Sequence, residues 1–279
     1  MIGQENLLHK IDRLVENGFP RFVLLVGAKG SGKKLLSKEI ANKLHYPLVP
    51  VGIGVDEVRE VIVNSYRNTE PIVYILPDTD KMSVAAKNAL LKITEEPPQK
   101  AYFILTVTDL SNTLQTLTSR ACVLKMDSYT QEELYTYLTM KYDVTNLQSN
   151  NIVFVVDTAT APQEVDTLMT YDVKEFRVFV ESVASNLHKV SAANSFKILN
   201  KLALKKDEDK WDVLLFAQAL RHELFRLYWA DEQPSEYYYK AWCRTCDLLK
   251  ELKYKNSVNR QYCLDQFILD VRKYWRELQ

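Results

Sequence analysis

Seven residues, Gly27-Ala-Lys-Gly-Ser-Gly-Lys33, constrain this chain more than any others. They follow an apolar run, Phe22–Val26, and open a helical pattern, Lys33–Leu44. Glycines at the first, fourth and sixth places permit a tight turn whose amides can cradle phosphate oxygens. The helix start adds positive potential, and the Lys33 ammonium can reach the outer phosphates. In this context Gly27, Gly30, Ser31, Gly32 and Lys33 form a candidate nucleotide loop, and a chance glycine turn is the poorer account.

The pattern around the loop extends the argument. Arg21–Val26, Leu48–Val51, Ile72–Leu76, Tyr102–Val107 and Cys122–Met126 are short, apolar and rich in β-branched or aromatic residues. Helical patterns lie between them: one follows the loop, and another is capped by Ser83 and stopped by Pro97-Pro98. Such alternation predicts a mostly parallel sheet flanked by helices. After residue 176 the period becomes helical, with Val213, Phe216, Leu220, Leu224 and Leu227 on one face, and Leu264, Phe267, Val271, Tyr274 and Leu278 on another. Trp211, Trp229, Trp242 and Trp275 all fall in this part and are expected in a core or a subunit interface. Asn151-Ile-Val-Phe-Val-Val-Asp157 is ambiguous, because β-branched residues favour strand while its neighbours look helical.

All seven glycines precede residue 55, and only Pro162 and Pro234 follow Pro98. Residues 131–175 carry two basic and eight acidic side chains between mildly positive flanks. These shifts divide the chain into 1–130, 131–175 and 176–279, an α/β part followed by all-α parts. The run Lys205–Lys210 reads as a solvated loop.

With 36 Lys+Arg against 36 Asp+Glu, the chain is not a bulk electrostatic binder of nucleic acid. It shows no membrane-span-length apolar stretch and no secretion pattern in Met-Ile-Gly-Gln, so a cytoplasmic location is expected. Cys122, Cys243, Cys246 and Cys263 are too few for a disulfide scaffold. The lone CxxC lacks a second ligand pair and reads as helix core, so zinc is not expected. His9, His45, His188 and His222 are scattered as surface or boundary residues.

The loop lacks its usual metal chemistry. A working loop needs a Ser or Thr hydroxyl after its lysine to ligate magnesium, and this chain has Lys34. The expected acidic pair after a strand is also altered: Pro77 stands where the metal-holding Asp belongs, and Asp78 where the catalytic acid belongs. Asp78 and Asp80 could instead cap the following turn and helix. Lys34 could replace the missing cation by attraction to phosphate, or point to solvent from a relic loop. ATP binding therefore stays open at this point, and no metal ligands are assigned.

Ile2-Gly3-Gln4-Glu5, the Gly27–Lys33 loop, Asn88-Ala-Leu-Leu-Lys-Ile-Thr-Glu-Glu-Pro-Pro98, and Tyr102-Phe-Ile-Leu with Leu117-Thr-Ser-Arg120 together resemble the clamp-loader subunits of bacterial DNA polymerase III, the delta prime type most closely. The resemblance implies an AAA+ domain, a small helical lid and a helical collar that assembles five subunits. In the last hundred residues it rests on helical character and Asn256-Ser-Val-Asn259. It implies that Arg120, in Thr118-Ser119-Arg120-Ala121, reaches into a neighbour's ATP site, with Ala121 in place of the family's Cys. It implies a polar residue beside the phosphate, Thr106 or Thr108, and a lid arginine that is missing, since 158–166 offers only Gln163 and Glu164. Lys81, Lys87 and Lys92 could lie near the DNA-facing side, although helix lysines are usually solvated.

The resulting expectation is a delta-prime-like clamp-loader subunit, without efficient ATP hydrolysis of its own. Its partners would be delta and gamma/tau-type subunits, the sliding clamp and primer-template DNA through the assembly. An active gamma/tau-like motor subunit and, more remotely, a P-loop nucleotide kinase are the rivals.

Overall fold

The computed structural model describes residues 2–189, 201–203, 210–230, 235–254 and 259–278. Contacts divide the chain into two units: residues 1–133 with 161–163, and residues 134–160 with 164–279.

The first unit is built on a five-stranded parallel sheet. β1 (Phe22–Val26), β2 (Leu48–Pro50), β3 (Ile72–Leu76), β4 (Ala101–Val107) and β5 (Cys122–Lys125) lie in the order β2-β3-β4-β1-β5. Every pairing is parallel, with Leu24 opposite Leu105 on one side and Val123 on the other. Alternation along each strand sends side chains to two faces. Phe22, Leu24, Tyr74, Leu76, Phe103 and Leu105 face one way. They meet Val58 of α3 (Val55–Ser65), Leu90 and Ile93 of α4 (Val84–Glu95), and Leu117 of α5 (Gln115–Thr118). Val23, Leu25, Val73 and Ile104 face the other way, onto Leu7 and Ile11 of α1 (Glu5–Asn17) and Leu36 and Ile40 of α2 (Lys33–Leu44). Because both faces are covered, Val23, Leu24 and Leu25 are 0% exposed. Burying each contributes about 1.5–3 kcal/mol.

The predicted strands match these to within a residue at either end. The capping expectation also holds, since Ser83 Oγ accepts the Ala86 amide at 3.2 Å and α4 ends before Pro97. Gln4 closes the unit. Its side-chain amide donates to Asp127 O at 2.8 Å and accepts from Asp127 N at 2.7 Å. Gly3, at φ +66°, takes up the left-handed backbone that favours glycine, with the Glu133 carboxylate lying against it.

The second unit is helical: α6 (Gln131–Lys141) enters it, and α7 (Ser149–Thr158), α8 (Pro162–Leu168) and α9 (Val173–Asn186) follow. The ambiguous segment 151–157 is thus helix, with Val155 and Val156 buried. Asp166 of α8 gathers three donors, Tyr137 at 2.9 Å, Tyr142 at 2.9 Å and Lys141 at 2.8 Å. Short strands β6 (Leu202–Ala203) and β7 (Trp211–Asp212) pair, and α10 (Val213–Tyr228), α11 (Glu236–Tyr254) and α12 (Arg260–Glu277) pack in succession. Val213, Phe216, Leu220, Leu224, Leu264, Phe267 and Val271 are buried, as their spacing predicts, while Leu227 and Tyr274 are half-buried and Leu278, past the end of α12, is exposed.

Three expectations need correction here. Of the two places expected for the tryptophans, the core does not hold: Trp229 is 60% exposed and the other three are half-buried, their rings packed on neighbouring phenylalanine and tyrosine rings such as Phe176, Phe225, Tyr228 and Tyr237. Cys243 and Cys246 lie on α11 as expected, but only half-buried. Lys87 is buried rather than solvated, with Nζ donating to Asp80 O at 3.2 Å. Residues 205–209 of the charged run and 256–258 of the Asn-Ser-Val-Asn segment lie outside the described residues. Asn259 caps α12 through Oδ1, which accepts the Gln261 amide at 3.0 Å. Among the described residues no helix is long and apolar enough to cross a membrane.

Candidate functional site

The glycine loop sits between the end of β1 and the start of α2, with Gly30 at φ +79° and Gly32 at φ +93°. Most of its carbonyls are held by the surrounding protein. Lys33 Nζ donates to Gly27 O at 2.6 Å and Ala28 O at 2.8 Å, Tyr129 Oη donates to Ser31 O at 2.8 Å, and the Leu36 amide donates to Gly32 O at 2.9 Å. Among the described residues, the amides of Gly30, Gly32, Lys33 and Lys34 meet no backbone acceptor. Donors left over in a concave turn, at the positive end of a helix, form an anion cradle. Lys33 is only 8% exposed. Burial pushes its ammonium below the ordinary lysine value, while Asp78 and Asp80 pull it back up.

These donors fit the phosphates of a nucleotide. The structure gives magnesium much less. Lys34 is exposed and carries no metal-binding oxygen, and Pro77 follows β3 where a carboxylate would be required. Among the described residues no group of three or more His, Cys, Asp or Glu could hold a metal.

The two aspartates after β3 do not act as caps. Asp78, at φ +50°, donates its amide to Thr106 Oγ1 at 3.0 Å, and its carboxylate accepts from Lys81 at 2.7 Å. The Lys81 hydrogen bond, followed by the charges of Lys81, Lys33 and Lys34, holds the Asp78 carboxyl below its usual range despite partial burial. Asp80 Oδ2 accepts the Thr108 amide at 3.3 Å, while its Oδ1 is buried with no hydrogen-bond partner. Thr106 is buried and its hydroxyl is occupied by Asp78; Thr108, past the end of β4, is exposed.

The two polar residues of the 158–166 stretch part company. Gln163 reaches the loop: its amide is 3.5 Å from Gly30 O, and a Cβ on Gly30 would lie 2.7 Å from Gln163 Cβ. Glu164 turns into the second unit, where its carboxylate accepts from the Thr160 amide at 2.7 Å, the Thr160 hydroxyl at 2.8 Å and Gln218 Nε2 at 3.3 Å. Sequence reasoning did not find Tyr129 as a support of the loop, because its contact with Ser31 spans nearly a hundred residues.

Arg120 lies at the other end of the sheet. It follows α5 and precedes Cys122, whose partner in β1 is Val23, whereas the glycine loop begins after Val26, opposite Lys125. A strand of this length separates the two by about 10 Å or more. The Arg120 side chain is 39% exposed and paired with Glu95, Nη2 to Oε1 at 3.2 Å. Ala121 packs against the sheet core, so the residue after the arginine has a packing role.

Comparison with known proteins adds an independent line. Residues 52–130 match the family described as DNA polymerase III, delta subunit. The DNA polymerase III subunit delta' of Buchnera aphidicola (Baizongia pistaciae) is 34% identical over 37% of this chain and 34% of its own length. The subunit gamma of Buchnera aphidicola (Schizaphis graminum) is 27% identical over 50% of this chain and 47% of its own. The chain resembles the clamp-loader subunits of DNA polymerase III, of the AAA+ type. It spans less than half the length of the curated relatives it matches. Among solved structures, a DNA polymerase III gamma subunit-related protein of Thermotoga maritima superposes with a TM-score of 0.52 over 96% of this chain and 99% of its own, at 17% identity. The RuvB Holliday junction branch migration motor of the same organism superposes at 0.51 over 82% and 77%, at 19% identity. At these identities the clamp-loader resemblance rests on the sequence matches, and the structural neighbours establish the AAA+-like fold.

Proposed function

We propose that this chain is a delta-prime-like clamp-loader subunit that hydrolyses ATP poorly or not at all and lends Arg120 to the ATP site of a neighbouring subunit during clamp loading onto primed DNA. Residues 131–175 would then form the lid, and 176–279 the collar that joins it to delta and gamma/tau-type partners in the cytoplasm. The observation that carries the reading is the position of Arg120: partly exposed, and at the sheet end opposite the chain's own phosphate loop. A guanidinium there cannot serve its own cradle, so any phosphoryl group it neutralises belongs to another molecule.

The test is a clamp loader assembled from this chain and its partners, in which hydrolysis is confined to the site facing Arg120. Arg120→Ala is expected to lower kcat at that site by about a thousandfold, the order typical of arginine fingers, without preventing assembly. Unchanged turnover rejects the proposal. The motor reading, an active gamma/tau-like ATPase, draws support from the amide cradle and Lys33. It requires magnesium-dependent turnover by this chain's own site that Lys33→Ala abolishes. Our reading expects no such turnover, because neither Lys34 nor Pro77 offers magnesium an oxygen ligand.

A further inference from the structure

The Arg120 guanidinium is held at two points. Nη2 lies 3.2 Å from Glu95 Oε1, and Nη1 donates to Thr116 O at 3.1 Å. Both anchors stand on elements fixed by the core: Glu95 ends α4, whose Ile93 is fully buried, and Thr116 lies on α5, whose Leu117 is fully buried. Glu95 ends the twelve-residue α4, where unpaired helix carbonyls add partial negative charge beside its carboxylate, and the Thr116 carbonyl also accepts from Ser119 Oγ at 3.1 Å. A guanidinium is planar and carries five N–H donors; anchoring both terminal nitrogens fixes its plane and leaves donors over for an acceptor outside the chain.

We infer that Glu95 is a positioning residue, which aims Arg120 outward from this sheet end before a second chain presents its phosphoryl group. This rests on the trans-arginine reading above. Arginine has many rotamers, and a charge stabilises a transition state best when it is oriented in advance. Glu95 side-chain exposure of 58% is consistent with that role, since the pair remains open to solvent and to a docking partner. An exposed pair contributes little to folding, and the buried Ile93 and Leu117 already hold α4 and α5 against the sheet. A merely structural Glu95 therefore has little to do here.

The experiment uses the assembled clamp loader with hydrolysis confined to the site facing Arg120, and compares the intact chain with Glu95→Ala, Glu95→Gln, Arg120→Ala and the double Glu95→Ala/Arg120→Ala. Misplacing a catalytic charge by an ångström costs up to about a hundredfold, so Glu95→Ala is expected to lower kcat about tenfold or more. KM should stay within about twofold, because the interaction strengthens mainly in the transition state. Glu95→Gln, which keeps an acceptor but no charge, should recover part of the loss. In the double variant Glu95→Ala should add nothing to Arg120→Ala, since it acts only through that side chain. A kcat unchanged or raised by Glu95→Ala, or a loss that persists in the Arg120→Ala background, overturns the positioning role while leaving the trans arginine standing. If Arg120→Ala itself has no effect, both fall.

Discussion

The two ends of one parallel sheet have been treated differently. At the loop end the backbone is heavily supported: Lys33, Tyr129 and Leu36 hold its carbonyls, Gln163 packs on Gly30, and the amides are left as donors. The acids that would organise a metal are missing or paired off. At the opposite end the support is lighter and the charge stays accessible, with Arg120 held by one carboxylate and one carbonyl. One end keeps the shape of a phosphate site without its metal chemistry, and the other keeps a charge with no phosphate of its own. If the proposed function holds, geometry and catalysis are separable properties, and a chain that assembles with others can lose one while keeping the other.

The comparison can be broken most forcefully at Gly30. A side chain there must adopt φ +79° and meet Gln163 Cβ at 2.7 Å. A left-handed non-glycine residue costs about 1–2 kcal/mol and overpacking about 1–3 kcal/mol. Gly30→Ala is expected to destabilise the first unit by about 2–5 kcal/mol in denaturant titrations. Gln163→Ala should not relieve it, because the clash is with Cβ. A neutral Gly30→Ala would show that Gln163 is not seated on the loop.

A smaller effect tests the missing metal chemistry directly. Titrating the chain with ATP, with and without magnesium, should show binding that changes less than about twofold on removing the metal, and Lys33→Ala should weaken it by about tenfold or more, as expected for loss of a charge-assisted hydrogen bond. Binding that needs magnesium would return the loop to the motor class.

The smallest effect concerns Asp78. Its carboxyl is held below the ordinary value of 3.8, first by the hydrogen bond from Lys81. A depressed acid stabilises the folded state fully above the unfolded value and loses that contribution as pH falls through the folded one. Acid unfolding of Asp78→Asn should therefore be less steep below pH 3.8 than that of the wild type, with the two converging in strong acid. Identical acid limbs would mean that the Lys81 pair does not persist in solution.

Much of the loop end could be read from sequence, because strand, turn, helix and cap are local and each residue choice has one physical reason. Residues 22–44 and 83–95 fold as their patterns predict. The supports of the site were not legible. Tyr129 meets Ser31, and Gln163 meets Gly30, across gaps that no periodicity marks. Lys87 looked like an ordinary exposed helix lysine, and only the path of the chain after β3 brings Asp80 O to its ammonium. Segment 151–157 had strand propensity and became helix, because tertiary packing of Val155 and Val156 outweighs a weak local preference. Arg120 was found through resemblance; the observation that it stands away from its own loop needed the strand register.

The strand order has a consequence for synthesis. β1 is among the first strands made, yet its neighbours β4 and β5 are the last two of the sheet. Roughly seventy-five residues separate Val26 from Ala101, or about 4–15 s at about 5–20 residues per second on a ribosome. Throughout that interval Val23, Leu24 and Leu25 have no native partner strand on either side. The strand that leads into the glycine loop is therefore the one that waits longest for its partners, and until they arrive its apolar side chains are open to a chaperone or to misassociation.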